Sequence, residues 1–121
     1  MKCPCNPSKL YENCCKKAHQ NLDSVTSPEI LMRSRYSAFV MANIDYLQKS
    51  HHIKTRPSKL EKREILSWTK SVEWIKLDVL QKTENTVEFK AYFQEKGILK
   101  SIHENSLFVK ENGYWVYESA L

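Results

Sequence analysis

The sequence predicts an α+β domain, in which helices pack on an antiparallel sheet, preceded by a short cysteine-rich segment. Three observations lead to this prediction. All four cysteines lie within the first 15 residues. Apolar residues recur at helical spacing up to about residue 70, and from residue 75 onward they alternate with polar residues. Helices followed by a run of strands favour the α+β class.

The cysteines form two close pairs. Cys3 and Cys5 are separated by one residue, and Cys14 and Cys15 are adjacent. Two such pairs on one loop can supply the four corners of a tetrahedral structural zinc site. Disulfides are the alternative, but they need an oxidising compartment. No secretory signal is visible, so we expect reduced thiols, a cytoplasmic protein and a structural zinc ion, with His19 as the alternative to Cys15.

The N-terminal segment resembles the SEC-C motif, a small zinc knuckle known from the C-terminal tail of the translocase ATPase SecA. The matching positions are Cys3-Pro4-Cys5, Ser8, Lys9, Tyr11 and Cys14-Cys15. The resemblance implies that the fourth ligand directly follows the third cysteine, which favours Cys15 over His19. The motif usually carries glycine where this chain has Asn6, so we expect Asn6 to adopt a positive φ.

Helix start signals follow this segment. Ser27 is a capping residue, Pro28 suits the first helical position, and Glu29 lies in the first turn. Ser58 and Glu61 form a capping box. Residues 16–27 carry no sustained period and are interpreted as a polar linker with room for one helical turn. The predicted helices span residues 28 to about 42, 44 to about 49, and 59 to about 70.

The first of these helices is apolar over a wide arc, so we expect it to be buried on most sides. Arg35 projects between its two apolar stripes, whereas Arg33 lies on the opposite edge and can reach solvent. A buried guanidinium needs a carboxylate or an anionic ligand, because an unpaired buried charge is costly. Arg35 is therefore either half of a structural ion pair or part of an anion-binding pocket.

Four strands complete the chain. Alternating apolar and polar residues predict them at about 75–79, 87–94, 98–109 and 114–118. Lys96-Gly97 is interpreted as a turn, and Asn112-Gly113 is a strong signal for a two-residue hairpin. The strands form a meander whose apolar face is covered by the helix that starts at Pro28.

This second part of the chain is similar to the YchJ family of small bacterial proteins. In that family, a SEC-C knuckle precedes a cone-shaped domain like that of nuclear transport factor two. We place the knuckle at residues 1–20 and the cone-shaped α+β domain at residues 21–121. The resemblance rests on Leu31-Met32-Arg33-Ser34-Arg35-Tyr36-Ser37-Ala38-Phe39, Asp45-Tyr46-Leu47, His52, Thr55-Arg56-Pro57, Trp68, Val87-Glu88-Phe89, His103-Glu104-Asn105-Ser106-Leu107-Phe108 and Trp115.

A cone-shaped domain has a concave face that can hold a ligand, and a small anionic ligand is one candidate. His103 and Glu104 are neighbours on one strand and face opposite sides, so at most one of them enters the cavity. The candidates to line the cavity are Arg35, Tyr36, His52, Trp68, Trp74, His103 and Glu104.

We therefore expect a zinc-binding protein that acts as a binding or adaptor module, with a partner protein on the knuckle. One alternative is an acid–base enzyme that uses Arg35, His52 and His103. Another is a nucleic-acid or ribosome binder that uses the basic knuckle. A zinc ion with four protein ligands cannot activate water, so its expected role is structural. No stretch approaches the roughly 20 apolar residues of a membrane span.

Overall fold

The computed structural model describes residues 1–121 and has an α+β fold, as the sequence predicts. Short 3-10 helices at Tyr11–Asn13 and Leu22–Ser24 flank the first α-helix. None of the helices combines the length and apolar character needed to cross a lipid bilayer. The elements in chain order are β1 (Lys2–Cys3), β2 (Asn6–Leu10), α1 (Cys15–Gln20), α2 (Pro28–Val40), α3 (Ile44–Lys49), α4 (Lys59–Ser71), β3 (Glu73–Lys82), β4 (Thr86–Glu95), β5 (Ile98–Glu111) and β6 (Tyr114–Ala120).

The two long helices begin at the residues that their caps predict. The Ser27 hydroxyl accepts a backbone N–H of α2 at 3.2 Å, and Ser58 and Glu61 form a complete capping box on α4. α2 ends at Val40, two residues before the predicted end. The reason is Ala42, whose φ of 54° turns the chain away from the helix toward α3.

Residues 16–27 are more ordered and more buried than the polar linker with one helical turn that the sequence predicts. α1 and the 3-10 helix at Leu22–Ser24 fill most of this segment. Ala18, Leu22 and Val25 are buried in the main hydrophobic core. These three residues stand at i, i+4 and i+7, which is helical spacing, but they are few among polar neighbours, and packing against the core orders the segment.

Strands β3 to β6 form an antiparallel meander in the order β3-β4-β5-β6. The turn at Lys96-Gly97 has φ values of 53° and 78°, and the turn at Asn112-Gly113 has φ values of 54° and 88°. Positive φ at both central residues is typical of type I′ turns, which match the twist of the flanking strands. The first turn sets the register of β4 and β5, in which Phe89 lies opposite Glu104.

α2 is buried on most sides, as its wide apolar arc predicts, and it separates two hydrophobic clusters. The main cluster lies between α2, α3 and the inner face of the sheet and comprises Ala18, Leu22, Val25, Leu31, Met32, Ala38, Tyr46, Leu47, Val87 and Phe108. The second cluster joins the N-terminal segment to α2 and β4 and comprises Cys3, Cys5, Cys15, Tyr36 and Ala91. The N-terminal segment therefore shares a packed interface with the rest of the chain.

Candidate functional site

The four thiols converge beside α2. The ribbon of β1 and β2 brings Cys3 and Cys5 together, and the chain reversal before α1 adds Cys14 and Cys15. All four Sγ atoms lie within 4.8 Å of one another, with 3.7 Å between those of Cys3 and Cys5 and 3.5 Å between those of Cys5 and Cys14. Four sulfurs at about 2.3 Å from a central metal would be about 3.8 Å apart. The cluster therefore fits a tetrahedral metal ion.

Neighbouring groups favour negative charge on this cluster. The Ser37 hydroxyl donates a hydrogen bond to Cys15 Sγ at 3.2 Å, and the partly exposed Arg33 donates to the Cys5 carbonyl at 3.1 Å. The hydrogen bond from Cys15 is the main cause that lowers the pKa of Cys5 to about 5. The same bond, together with burial, raises the pKa of Cys15. Burial also raises the pKa of Cys14 to about 11. Metal ligands must be deprotonated, so the surroundings of Cys5 assist metal binding, whereas Cys14 and Cys15 would lose their protons to the bound cation itself.

His19 lies outside the cluster, because both of its ring nitrogens have other partners. Nδ1 is 2.7 Å from the Tyr11 hydroxyl, and Nε2 is 2.8 Å from the backbone carbonyl oxygen of Ser34. The ring also packs on Tyr46, with 4.6 Å between the ring centres. His19 thus ties the knuckle to α2, and Cys15 is the fourth donor that lies near the other three sulfurs.

Asn6 does not adopt the positive φ that the missing glycine predicts. Its side-chain Oδ1 accepts hydrogen bonds from the backbone N–H of Ser8 at 3.0 Å and from the Ser8 hydroxyl at 2.7 Å. Asparagine thus turns the chain through its side chain, and the turn needs no left-handed residue at this position.

A second candidate site is a cavity of about 260 Å³ between α2, α3, α4 and the inner face of the sheet. Thirteen of its 19 lining residues are hydrophobic. The indole N–H of Trp68 donates to Glu95, and that of Trp74 donates to Thr69, each at 3.1 Å. The indole rings therefore offer a ligand apolar contact only, as do the phenylalanines, whereas the two tyrosines also carry hydroxyl groups. The aromatic residues of the wall are Tyr36, Phe39, Trp68, Trp74, Phe89, Phe108 and Tyr117.

Arg35 belongs to the polar part of the cavity wall. Its Nη1 donates to the Leu47 carbonyl at 2.8 Å and to the Ser50 hydroxyl at 2.7 Å, and its guanidinium lies 4.9 Å from the centre of the Tyr117 ring. Its Nε and Nη2 have no hydrogen-bond partner in the chain. Burial lowers the pKa of Arg35 to about 10, so the guanidinium stays charged at neutral pH.

Arg35 and Glu104 both line the cavity but do not pair with each other. Glu104 Oε2 accepts hydrogen bonds from the hydroxyls of Ser106 and Tyr117, the latter at 3.2 Å, while its Oε1 has no partner. Burial, and then the neighbouring Glu104, raise the pKa of Tyr117 to about 12, which keeps its hydroxyl protonated as the donor. Of the two sequence interpretations of Arg35, the structural ion pair is therefore wrong.

Gln48 and His51 also line the cavity, although sequence reasoning missed them. Gln48 Oε1 is the only buried side-chain nitrogen or oxygen atom in the chain that lacks a hydrogen-bond partner. Burial, followed by the charges of Arg35 and Arg56, lowers the pKa of His51 to about 4, so this histidine is neutral at physiological pH. A spacing signal was available, because the α3 side of the cavity follows the helical pattern i, i+3, i+4, i+7. These positions are Ile44, Leu47, Gln48 and His51.

The predicted pocket histidines do not reach the cavity. His103 is exposed on the outer face of the sheet, where its Nε2 lies 2.7 Å from a carboxylate oxygen of Glu88. His52 lies 3.5 Å from Glu111, beside the end of β5. A pocket lined jointly by Arg35, His52 and His103 is therefore a wrong expectation. The predicted residues that do line the cavity are Arg35, Tyr36, Trp68, Trp74 and Glu104.

Residues 27–120 match the family model described as the YchJ middle domain, which is NTF2-like. This chain belongs to the YchJ family. A UPF0225 protein of Vibrio parahaemolyticus is 42% identical to it over 121 residues, which cover 95% of this chain and 71% of that protein. A UPF0225 protein of Bordetella pertussis is 39% identical over 122 residues, which cover 95% of this chain and 88% of that protein.

Two solved structures share the fold of this YchJ-family chain. A SEC-C motif containing protein from Rhodopseudomonas palustris has a TM-score of 0.85 and 32% identity, over 100% of this chain and 98% of that one. A second, from Psychrobacter arcticus, has a TM-score of 0.77 and 28% identity, over 98% and 81%. The resemblances to the SEC-C motif and to the YchJ family are confirmed. Because the SEC-C motif is a metal-binding knuckle, the four clustered cysteines form a group able to hold a metal ion.

Proposed function

We propose that this YchJ-family chain is a cytoplasmic binding protein, in which a structural zinc ion fixes the knuckle and the cavity of the cone-shaped domain holds a small ligand. The observation that carries this proposal is a largely apolar cavity whose wall also carries two charged groups with free hydrogen-bonding capacity, Arg35 through Nε and Nη2 and Glu104 through Oε1. A ligand that pairs with these groups inside the cavity would gain hydrogen bonds that are stronger there than in water. Concave, mostly apolar cavities with a few polar groups are typical of small-molecule sites.

Zinc is the metal that we assign to Cys3, Cys5, Cys14 and Cys15. Four thiolates at tetrahedral spacing suit zinc, and such a site has no open coordination position. The ion would therefore hold the knuckle together and would take no part in activating water. Thiolates stay reduced only in a reducing compartment, which supports a cytoplasmic location.

The knuckle supports one wall of the cavity through α2. Tyr36 belongs to the cluster of buried cysteines and also lines the cavity. The residues on either side of it contact one site each. Ser37 donates a hydrogen bond to Cys15, and Arg35 lines the cavity. The zinc site and the ligand site would therefore share a single structural element.

Two positions support ligand binding over the acid–base alternative. His52 and His103, the proposed proton carriers, lie outside the cavity. The histidine that does line it, His51, is neutral at physiological pH and packs edge-on against Tyr117 with 5.0 Å between the ring centres. The cavity thus offers a shaped surface with hydrogen-bonding groups, which is what binding requires.

The adaptor role would use the outer side of the knuckle. Lys9, Leu10 and Lys17 are exposed there, so a partner protein would find one apolar and two basic side chains. The reversed-charge variant Lys9→Glu/Lys17→Glu should lose capture of such a partner. Capture that weakens steeply with salt and needs nucleic acid would instead favour the nucleic-acid alternative.

Native mass spectrometry of gently purified, reduced protein tests the zinc ion and the ligand together. We expect the mass of one zinc ion per chain, and a small molecule that is released when the protein is denatured. Glu104→Met, which removes the free carboxylate oxygen of the wall, should lower ligand occupancy and leave the zinc content unchanged. A zinc-loaded protein that binds nothing in an NMR screen of small aromatic compounds would refute the cavity function while leaving the metal assignment intact.

A further inference from the structure

We infer that the cavity selects an uncharged aromatic ligand that carries a carboxamide or an equivalent group with both a donor and an acceptor. This inference rests on the proposed binding function and adds the chemical class of the ligand. It depends on how the unused hydrogen-bonding groups are distributed along the cavity wall.

The donor on the wall is Arg35. Its Nη1 is held by Leu47 and Ser50, so the guanidinium is fixed in place and does not need a ligand to order it. The N–H groups of Nε and Nη2 remain available to a ligand oxygen. A ligand must therefore present at least one acceptor to this side of the cavity.

The acceptor on the wall is Glu104 Oε1, which has no partner in the chain, although the other oxygen of Glu104 accepts hydrogen bonds. Gln48 Oε1 also lacks a partner, but it is buried and exposes almost no surface to a ligand. Glu104 accepts a hydrogen bond from the Tyr117 hydroxyl, and the Arg35 guanidinium lies 4.9 Å from the centre of the same Tyr117 ring. An acceptor and a donor thus stand beside one aromatic ring.

This arrangement disfavours charged ligands of either sign. A carboxylate would bond Arg35 but would bring its own oxygens toward the unpaired oxygen of Glu104. An ammonium group would bond that oxygen but would face the guanidinium. An uncharged amide offers a C=O to Arg35 and an N–H to Glu104, so it pairs with both charged groups of the wall.

The rest of the wall determines the body of the ligand. The indole N–H groups of Trp68 and Trp74 are already bonded to protein, so these rings present only faces and edges. Aromatic rings pack favourably against such surfaces. A cavity of about 260 Å³ lies near the small end of ligand sites, which suits a ligand with one or two fused rings.

Three probes of the same shape test the inference on the zinc-loaded protein: 2-naphthamide, 2-naphthoate and protonated 2-naphthylmethylamine. Calorimetry gives the affinities, and NMR shifts of the Trp68 and Trp74 indole N–H groups locate the binding. We expect the amide to bind at least about tenfold more tightly than either charged probe, because each charged probe leaves a buried group unpaired. Equal or tighter binding of the naphthoate would overturn the inference and leave the binding function standing. Absence of binding by all three would count against the binding function itself.

One variant and its control test whether Glu104 makes the selection. Glu104→Gln removes a negative charge and supplies an N–H donor. The affinity for the naphthoate relative to that for the amide should therefore rise about tenfold. His103→Gln lies next to Glu104 on the outer face of the sheet and is the matched control, which should change no affinity. An amide-to-naphthoate ratio unaffected by Glu104→Gln would overturn the inference.

Discussion

Cys15 and His19 differ in what surrounds them, and this difference predicts which of the two binds metal. Cys15 Sγ lies with the other three sulfurs, whereas both nitrogens of His19 are hydrogen-bonded to Tyr11 and Ser34. Cys15→Ser should therefore abolish stoichiometric zinc binding, while His19→Gln should keep one zinc ion per chain. Elemental analysis of both purified variants checks this. If His19→Gln lost zinc and Cys15→Ser retained it, His19 and not Cys15 would be the fourth ligand.

Arg35 also has a structural role that can be measured apart from any ligand. It donates to the Leu47 carbonyl and to the Ser50 hydroxyl at the end of α3, and Ser50 is fully buried. Arg35→Met would remove the charged donor from both of these acceptors. We therefore expect it to lower the free energy of unfolding by about 2 kcal/mol. Urea denaturation measures this loss. Arg63→Met, on the exposed side of α4, is the control and should cost less than about 0.5 kcal/mol. Equal losses in the two variants would contradict the prediction.

His51 should make stability depend on pH. Burial lowers its pKa from 6.5 to about 4, so below pH 6.5 the unfolded chain binds a proton that the folded chain does not. Stability should therefore fall as pH drops from 6.5 to 4, and His51 should account for about 3 kcal/mol of that fall. Above pH 6.5 its contribution is constant, because His51 is neutral in both states.

Comparison of the wild type with His51→Gln isolates this effect, because protonation of the cysteines affects both proteins alike. Denaturant unfolding at pH 7, 5.5 and 4 should give a stability difference between the two that shifts in favour of the variant as pH falls. A difference that stays constant across this range would show that His51 titrates normally.

α4 depends on its cap more than the other long helix does. Thr69 is its only fully buried residue, so packing alone holds it weakly, and yet it covers one side of the cavity. Ser58→Ala removes half of the capping box and should cost about 1 kcal/mol, which raises opening of the helix about fivefold. Hydrogen exchange of the α4 amides measures this. Ser67→Ala, in the exposed middle of the same helix, should not accelerate exchange, and equal acceleration in both variants would contradict the capping argument.

Most elements of the fold were predictable because their signals are local. Helix caps and strand alternation depend on neighbouring residues, and they predicted α2, α3, α4 and the four-stranded meander. The side of β5 that faces the cavity could also have been predicted from the sequence. A two-residue turn at Lys96-Gly97 sets Glu104 opposite the apolar Phe89, which excludes His103 from the cavity.

The remaining features depend on contacts between distant parts of the chain. Residues 16–27 are ordered by packing on the core, because only three apolar residues, Ala18, Leu22 and Val25, mark their buried side. Arg35 has no carboxylate partner, and Glu104, which also lines the cavity, accepts a hydrogen bond from Tyr117 instead. That contact joins β5 and β6, two strands that meet only in the folded sheet. Sequence reasoning can propose that a charged residue is buried, but it cannot choose among partners that tertiary structure brings together.

At the scale of the whole molecule, the division into a knuckle at residues 1–20 and a cone-shaped domain at residues 21–121 stays a prediction. The packing between the two parts indicates that they do not unfold independently. Three of the four cysteines are buried against Tyr36 and Ala91, and Arg33 bonds the Cys5 carbonyl across the same interface. Disorder in the knuckle would therefore expose one side of α2, the helix that also lines the cavity.

Removal of zinc should consequently destabilise the entire chain and not the knuckle alone. We expect a chelator to lower the thermal midpoint by at least about 10 °C in a single transition. The reason is that the folded chain then loses the free energy of metal binding, and the knuckle and the domain share one packed core. Fluorescence of Trp68, Trp74 and Trp115 measures this, since all three lie outside the knuckle. A zinc-free Cys14→Ser/Cys15→Ser variant is the control, and chelator should not change its melting. A tryptophan transition that is the same with and without chelator would mean that the knuckle and the domain unfold independently, and α2 would then not couple the metal site to the cavity.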